Sequence, residues 1–204
     1  MYNNITGIIL SGGKSSRMGE NKAFLPLGEK VIIEHVADLM CSIFTNVILI
    51  TNTPYEYEFL NFPVYEDIFK VDGPLAGIHS GLENSKTEEN FILSCDMPLM
   101  ESNIIKSIVE FKTDKPVTIC RIEGFIQHLA GRYSKSVSQF AEKLLQQEVE
   151  NVKHNNEKHN VKVYSLLKEI GYETIEAEEL PGYNPRIFFN MNNKEDYQEI
   201  LSLF

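Results

Sequence analysis

Short apolar runs alternate with longer amphipathic segments along the first two-thirds of the chain. Each run holds only a few residues, is rich in Ile, Val or Leu and ends in turn residues, a pattern that predicts a buried β-strand. The predicted strands cover residues 5–10, 47–50, 64–65, 91–93, 117–122 and 125–133. We expect the last two to pair through the turn at Glu123 and Gly124.

Apolar residues recur every three or four positions between these runs, which predicts amphipathic helices. The predicted helices cover residues 31–43, 75–82, 102–111, 137–149 and 161–170, with a short helix at 55–60. Residues 26–29 are typical of a turn, and the polar stretch that follows residue 149 is expected to be a loop. A final helix should follow residues 188–192, with Asn192 or Asn193 as its N-cap.

Strands that alternate with helices predict an α/β fold of Rossmann-like type, with a mostly parallel sheet and helices on both faces. Neither a repeat nor a linker divides residues 1–204, so we expect one domain. Ligands of such folds bind outside the carboxyl ends of the strands. Loops rich in Gly and Asp follow the predicted strands, so they should share one edge of the sheet.

The net charge is −10, from 29 acidic and 19 basic residues. This excess argues against a nucleic-acid binder or an anionic-membrane surface, which both need basic residues. The first 19 residues are an exception, because they contain Lys14 and Arg17 but no acid. The three cysteines form no CxxC pair, so we expect reduced core thiols in a cytoplasmic protein rather than a zinc site or disulfides. No signal peptide or membrane span is apparent.

The loop after the first predicted strand is rich in Gly, Ser and basic residues: residues 10–22 read LSGGKSSRMGENK. Adjacent glycines let backbone N–H groups approach an anion. We therefore interpret the loop as a phosphate-binding loop rather than as a solvated glycine turn. A Walker A loop is excluded, because its first glycine would fall at Ile8.

This loop resembles the Leu-x-Gly-Gly-x-Ser-x-Arg-Met-Gly-x-x-Lys signature of the molybdenum cofactor guanylyltransferases, within the wider nucleotidyltransferase (GT-A-like) fold. Two later segments, GPLAG at 73–77 and CDMP at 95–98, agree with that family. The chain departs from it at Ile50, where the family often has Asn, and we expect Asn52 to substitute. The resemblance is stronger over residues 1–100, which would bind GTP and metal, than over 101–204, which would bind the acceptor.

The resemblance implies roles for individual residues. Arg17, Lys22 and Asp96 would be catalytic, and Asp96 would bind Mg²⁺. The nucleotide would contact Leu10, Ser11, Gly12, Gly13, Lys22, Asn52, Asp67, Gly73 and Asp96. From the residues alone, Asp96 is equally suited to cap a helix and Asp67 to lie in a turn, and Asp72 competes with Asp67.

The implied reaction transfers GMP from GTP to the terminal phosphate of molybdenum-bound molybdopterin, with release of pyrophosphate. We expect a monomer that makes transient contacts with cofactor-delivery proteins or molybdoenzymes. One alternative is another nucleotidyltransferase of this fold, such as a CTP-dependent cofactor cytidylyltransferase or a sugar-phosphate enzyme. The other is a GTP-binding regulator without catalysis.

Overall fold

A computed structural model describes residues 1–12, 21–155 and 162–203, without the side chains of 153–155. A seven-stranded sheet lies at its centre, with strand order β5-β4-β1-β6-β8-β7-β9. Its strands are β1 (Tyr2–Leu10), β4 (Phe44–Ile50), β5 (Val64–Tyr65), β6 (Glu89–Ser94), β7 (Val117–Ile122), β8 (Phe125–Ser134) and β9 (Glu173–Glu176). Only β8 runs antiparallel to its neighbours. The sheet confirms the predicted mostly parallel α/β fold.

In the described part of the chain, five helices cover both faces of the sheet, and a sixth packs with Leu27, Ile32 and Met191 in a smaller apolar cluster. They are α1 (Ile32–Ile43), α2 (Pro74–Asn84), α3 (Ser102–Glu110), α4 (Val137–Asn155), α5 (Val163–Ile170) and α6 (Lys194–Leu201). One apolar cluster holds α1 and α3 against the sheet, and a second holds α2, α4 and α5. Strand β1 contributes Ile5 and Ile9 to the first cluster and Ile8 and Leu10 to the second, because successive side chains of a strand point to opposite faces.

Several element predictions need correction. The predicted turn at residues 26–29 is shorter than expected: residues 28–29 form it, and it joins the strands of a small hairpin, β2 (Pro26–Leu27) and β3 (Lys30–Val31). Instead of a helix over 55–60 there is a 3-10 turn at Pro54–Tyr57. Helix α4 continues to Asn155, through residues predicted as a loop. Residues 156–161 lie outside the described part of the chain.

The cysteines only partly match the prediction of core thiols. Cys95 and Cys120 are buried and free, whereas Cys41 is exposed on α1. Burial raises the pKa of Cys95 to about 11, so its thiol stays protonated at neutral pH. Among the described residues, no helix combines the length and apolar character needed to cross a bilayer.

Candidate active site

A cleft of about 470 Å³ opens along the carboxyl ends of four adjacent parallel strands, β5, β4, β1 and β6. Its lining residues come from the ends of these strands, from the loops that follow them, from the start of α2 and, in one case, from β8. They are Leu10, Gly12, Ile50, Asn52, Asp67, Val71, Asp72, Gly73, Pro74, Gly77, Ser94, Asp96 and Leu129. The cleft therefore lies where a parallel sheet is expected to bind a ligand.

Backbone hydrogen bonds continue past the strands and align these loops. The amide of Ser11 donates to the carbonyl of Ile50 over 2.9 Å, and the amide of Cys95 donates to the carbonyl of Leu10 over 2.9 Å. The amide of Thr51 likewise donates to the carbonyl of Tyr65 over 2.9 Å. The loops after β1, β4, β5 and β6 are thus held in register at the floor of the cleft.

Asp96 and Lys22 form a mostly buried ion pair at the β6 side of the cleft. Lys22 Nζ lies 2.8 Å from Asp96 Oδ2, and the two side chains are 19% and 15% exposed. Lys22 also donates to the backbone carbonyl of Met191 over 3.2 Å, while the amide of Met191 donates to the carbonyl of Asp96 over 2.9 Å. The C-terminal segment before α6 therefore braces the pair.

The second oxygen of Asp96, Oδ1, is buried and has no hydrogen-bond partner among the described residues. A carboxylate oxygen in this state suits a cation, since desolvation without a partner is costly. Asp96 does not cap a helix, because α3 begins only at Ser102. Within the described part of the chain, no three His, Cys, Asp or Glu side chains are grouped as metal ligands.

A second carboxylate, Asp67, lies at the β5 end of the cleft. Its Oδ2 accepts a hydrogen bond of 2.7 Å from the side-chain nitrogen of Asn52. The side-chain oxygen of Asn52 accepts a hydrogen bond of 3.2 Å from Lys70 Nζ. Oδ1 of Asp67 is buried without a partner in the described residues. Burial raises the pKa of Asp67, and the Asn52 hydrogen bond and the Lys70 charge partly oppose this shift.

The predicted site residues mostly converge. Six of the residues predicted from sequence line the cleft directly: Leu10, Gly12, Asn52, Asp67, Gly73 and Asp96. Lys22 joins them through Asp96. Ser11 is buried, and its hydroxyl lies 2.7 Å from that of Tyr57 rather than in the cleft. Gly13 and Arg17 lie outside the described residues.

Gly73 has a backbone conformation that favours glycine. It is the N-cap of α2 with φ 120°, so the helix can begin with Pro74 directly at the cleft wall. Sequence reasoning missed Tyr57 as a neighbour of the site. No sequence pattern marks this residue, because its contacts join elements far apart in the chain.

Comparisons with known proteins identify the family of this chain. The sequence model of the MobA-like NTP transferase domain matches residues 7–161. A probable molybdenum cofactor guanylyltransferase from Carboxydothermus hydrogenoformans is 39% identical over 203 residues, which cover 98% of this chain and 97% of the relative. A probable molybdenum cofactor guanylyltransferase from Aquifex aeolicus is 34% identical, covering 97% of this chain and 90% of the relative.

Among solved structures, molybdopterin-guanine dinucleotide biosynthesis protein A from Archaeoglobus fulgidus superposes with a TM-score of 0.79 at 19% identity. The match covers 97% of each chain and establishes the shared fold. These findings confirm the resemblance drawn from the glycine-rich loop. The chain belongs to the MobA-like NTP transferase family and is a nucleotidyltransferase related to the molybdenum cofactor guanylyltransferases.

Proposed function

We propose that this protein transfers GMP from GTP to the terminal phosphate of molybdenum-bound molybdopterin, which forms the guanine dinucleotide cofactor and releases pyrophosphate. One structural observation supports the proposal: Asp96, which is paired with Lys22, and a second, separate carboxylate, Asp67, line one cleft at the carboxyl ends of parallel strands. The names of the Carboxydothermus and Aquifex relatives support the choice of substrates.

In this reaction an acceptor phosphate oxygen attacks the α-phosphorus of GTP, and the bond from that phosphorus to the bridging oxygen breaks. A phosphate monoester is already ionised at neutral pH, so the reaction needs no general base. Catalysis then consists of positioning and charge neutralisation. We assign the second task to Lys22, whose ammonium group would stabilise the pyrophosphate that leaves.

The residues present fit a Mg²⁺ ion. Mg²⁺ is held by one or two carboxylates together with substrate phosphates and water, so it does not need a cluster of protein ligands. Asp96 has one oxygen hydrogen-bonded to Lys22 and one buried oxygen without a partner among the described residues, and we assign this second oxygen, Oδ1, as the metal ligand. When bound, Mg²⁺ neutralises charge on the phosphate oxygens.

We assign the guanine base to the Asp67 end of the cleft. An ionised carboxylate only accepts hydrogen bonds, and guanine offers two donors, N1–H and the exocyclic amino group. Adenine and cytosine present an acceptor nitrogen at the corresponding ring position, which would be repelled. This assignment is supported by Oδ1 of Asp67, which is buried and has no partner in the part of the chain that the structure describes, and by Asn52, which orients the carboxylate.

The division of one domain into a nucleotide half (1–100) and an acceptor half (101–204) is part of the proposal. It is supported by the cleft, where Leu129 alone among the described lining residues comes from beyond residue 100. Monomeric state, transient protein partners and cytoplasmic location remain predictions. Sedimentation-velocity ultracentrifugation of the purified protein, whose chain has a mass of 23.3 kDa, checks the first of these.

The decisive experiment measures pyrophosphate release from GTP with Mg²⁺ and molybdenum-bound molybdopterin, and repeats it with CTP. Substituting Asp96→Asn or Lys22→Met should lower the rate on the order of 100-fold, as for other lost charge-stabilising groups. Lys30 and Asp38 offer a matched control, because they form an exposed ion pair away from the cleft. Lys30→Met should retain the wild-type rate.

Each alternative predicts a different result. A cytidylyltransferase would release pyrophosphate faster from CTP than from GTP. A regulator would bind GTP yet release none with any acceptor. If Asp96→Asn and Lys22→Met both kept the wild-type rate at saturating GTP and Mg²⁺, the proposed roles of both residues would be wrong.

A further inference from the structure

A buried tyrosine hydroxyl near the candidate active site contacts two residues of the glycine-rich loop 10–22, one near each end. Tyr57 is 1% exposed and ends the 3-10 turn that follows β4. Its hydroxyl lies 2.7 Å from Ser11 Oγ and accepts a hydrogen bond of 3.2 Å from Asn21 Nδ2. Ser11 and Asn21 lie near opposite ends of this loop, yet both contact the same hydroxyl oxygen.

The hydrogen-bonding capacity of this hydroxyl is well used. A phenol oxygen donates one hydrogen bond and accepts up to two. Ser11 Oγ and Asn21 Nδ2 take up two of these positions. Burial raises the pKa of Tyr57, so the hydroxyl keeps its proton and its single donor at neutral pH.

The contact with Asn21 leads directly to Lys22. While Asn21 Nδ2 donates to Tyr57, Asn21 Oδ1 accepts from the amide of Ala23 over 3.2 Å and caps the 3-10 turn Lys22–Phe24. The ring of Phe24 packs against the ring of Tyr57, with centroids 4.9 Å apart. Tyr57 therefore contacts both the N-cap of this turn, Asn21, and its last residue, Phe24.

Lys22, the first residue of that turn, reaches the active-site carboxylate. Its Nζ lies 2.8 Å from Asp96 Oδ2. A lysine side chain has a limited reach, so the ammonium group can contact Asp96 Oδ2 and the Met191 carbonyl only from a suitably placed backbone. Among the described contacts, a short route from the tyrosine hydroxyl to the carboxylate runs through Asn21 and Lys22, and a longer one follows the backbone from Ser11.

We propose that the Tyr57 hydroxyl is a positioning group for catalysis, which sets the Lys22 ammonium group against Asp96 by fixing the capped turn to the end of β1. This inference rests on the proposed function of Lys22. Tyr57 does not line the cleft among the described lining residues, so it acts through Lys22 and not on the substrate. A tyrosine that only filled the core would need no hydroxyl here.

Tyr57→Phe tests the proposal, because it removes one oxygen and leaves the ring. Misplacing a charged group by about 1 Å can cost on the order of 100-fold in rate, so we expect kcat to fall roughly 10- to 100-fold. KM for GTP should change much less, since the loss falls on the departing pyrophosphate rather than on ground-state binding. Rates are referred to folded protein, which is quantified by thermal melting.

Tyr133→Phe is the matched control. Tyr133 is also fully buried, and its hydroxyl donates to the carbonyl of His128 over 2.6 Å, without contact to the Lys22 turn. This variant should lose stability while it keeps kcat. A fall in kcat of equal size in both tyrosine variants would show a general packing effect and overturn the proposal.

A double variant distinguishes positioning from an independent contribution. If Tyr57 acts through Lys22, adding Tyr57→Phe to Lys22→Met should lower kcat little further, whereas independent effects would multiply. Multiplicative losses would overturn the positioning role, as would near-wild-type kcat in Tyr57→Phe alone. Absence of pyrophosphate release by the wild-type protein would instead refute the proposed function, so the two failures are distinguishable.

Discussion

Helix α2 approaches strand β1 so closely that a single methyl group should disturb the fold. A Cβ atom placed on Gly81 would lie 2.6 Å from Ile8 Cγ2 and 3.2 Å from Ile8 Cδ1. Apolar carbons prefer separations of about 3.5–4.0 Å. Ile8 is fully buried in a central strand, and a β-branched side chain has little freedom to rotate away. Gly81→Ala therefore requires the helix or the strand to move.

The same helix contains a glycine that allows the packing cost to be isolated. At Gly77 a Cβ would meet its nearest neighbour, Leu10 Cδ2, at 3.4 Å, which is ordinary contact with the flexible end of a side chain. Both substitutions gain about 0.8–1.0 kcal/mol of helix propensity. Only Gly81→Ala carries an overpacking cost, about 1–3 kcal/mol. The difference in unfolding free energy between the two variants is thus about 1–3 kcal/mol.

Thermal and urea unfolding of the wild type and both variants measure this difference. For a chain of this size, about 1 kcal/mol shifts Tm by roughly 2–4 °C, so Gly81→Ala should melt roughly 2–12 °C below Gly77→Ala. Equal melting temperatures, or a more stable Gly81→Ala protein, would refute the close packing of α2 on β1. Because α2 begins at the cleft wall, the same result would also remove support for the cleft geometry.

Three further outcomes follow from individual side chains. Burial raises the pKa of Asp67, so KM for GTP should rise as the pH falls and the carboxylate is protonated; Asp67→Asn, assayed from pH 8 to pH 5, should lose this dependence. Burial lowers the pKa of His79 below its usual 6.5. The unfolded state therefore binds the proton at a higher pH than the folded state, and stability should fall as the pH drops through about 6.5. His79→Gln should flatten that part of the Tm–pH curve, and an unchanged curve would contradict the assignment. Asn193 caps α6, accepting from the amide of Asp196 over 2.9 Å, so Asn193→Ala should cost about 1 kcal/mol in urea unfolding, whereas Asn192→Ala should cost clearly less.

The fold was largely predictable because its strands carry their own signal. A strand buried on both faces is a short, continuous apolar run, as in residues 47–50 and 91–93, and helices reveal themselves by periodicity. Strand β9 was missed for the opposite reason. It lies at the sheet edge, and of its four residues, ETIE, only Ile175 is buried, so its sequence resembles a polar loop.

Elements stabilised by distant contacts were also misassigned. The β2–β3 hairpin has only two residues on each strand, and Leu27 packs with Met191 and Ile200 from the C-terminal segment and α6. Local sequence contains no trace of such partners. Helix α4 ran past its predicted end because the residues after 149 are polar but contain neither Gly nor Pro to stop a helix.

In the candidate site, the reactive residues were predictable from sequence, but the residues that orient them were not. Residue types that bind phosphate, metal and base could be named from sequence, because each follows a recognisable strand and parallel strands bring their carboxyl ends together. The partners that orient them could not: Lys22 meets Asp96 across 74 residues and Met191 across 169. A local pattern indicates which groups can take part in the reaction, whereas the packing of the whole sheet decides which oxygen of Asp96 is bonded to Lys22 and which has no partner among the described residues. Tyr57 lies outside the motifs and is connected to Lys22 through Asn21. Substituting its hydroxyl should therefore lower kcat with little effect on GTP binding.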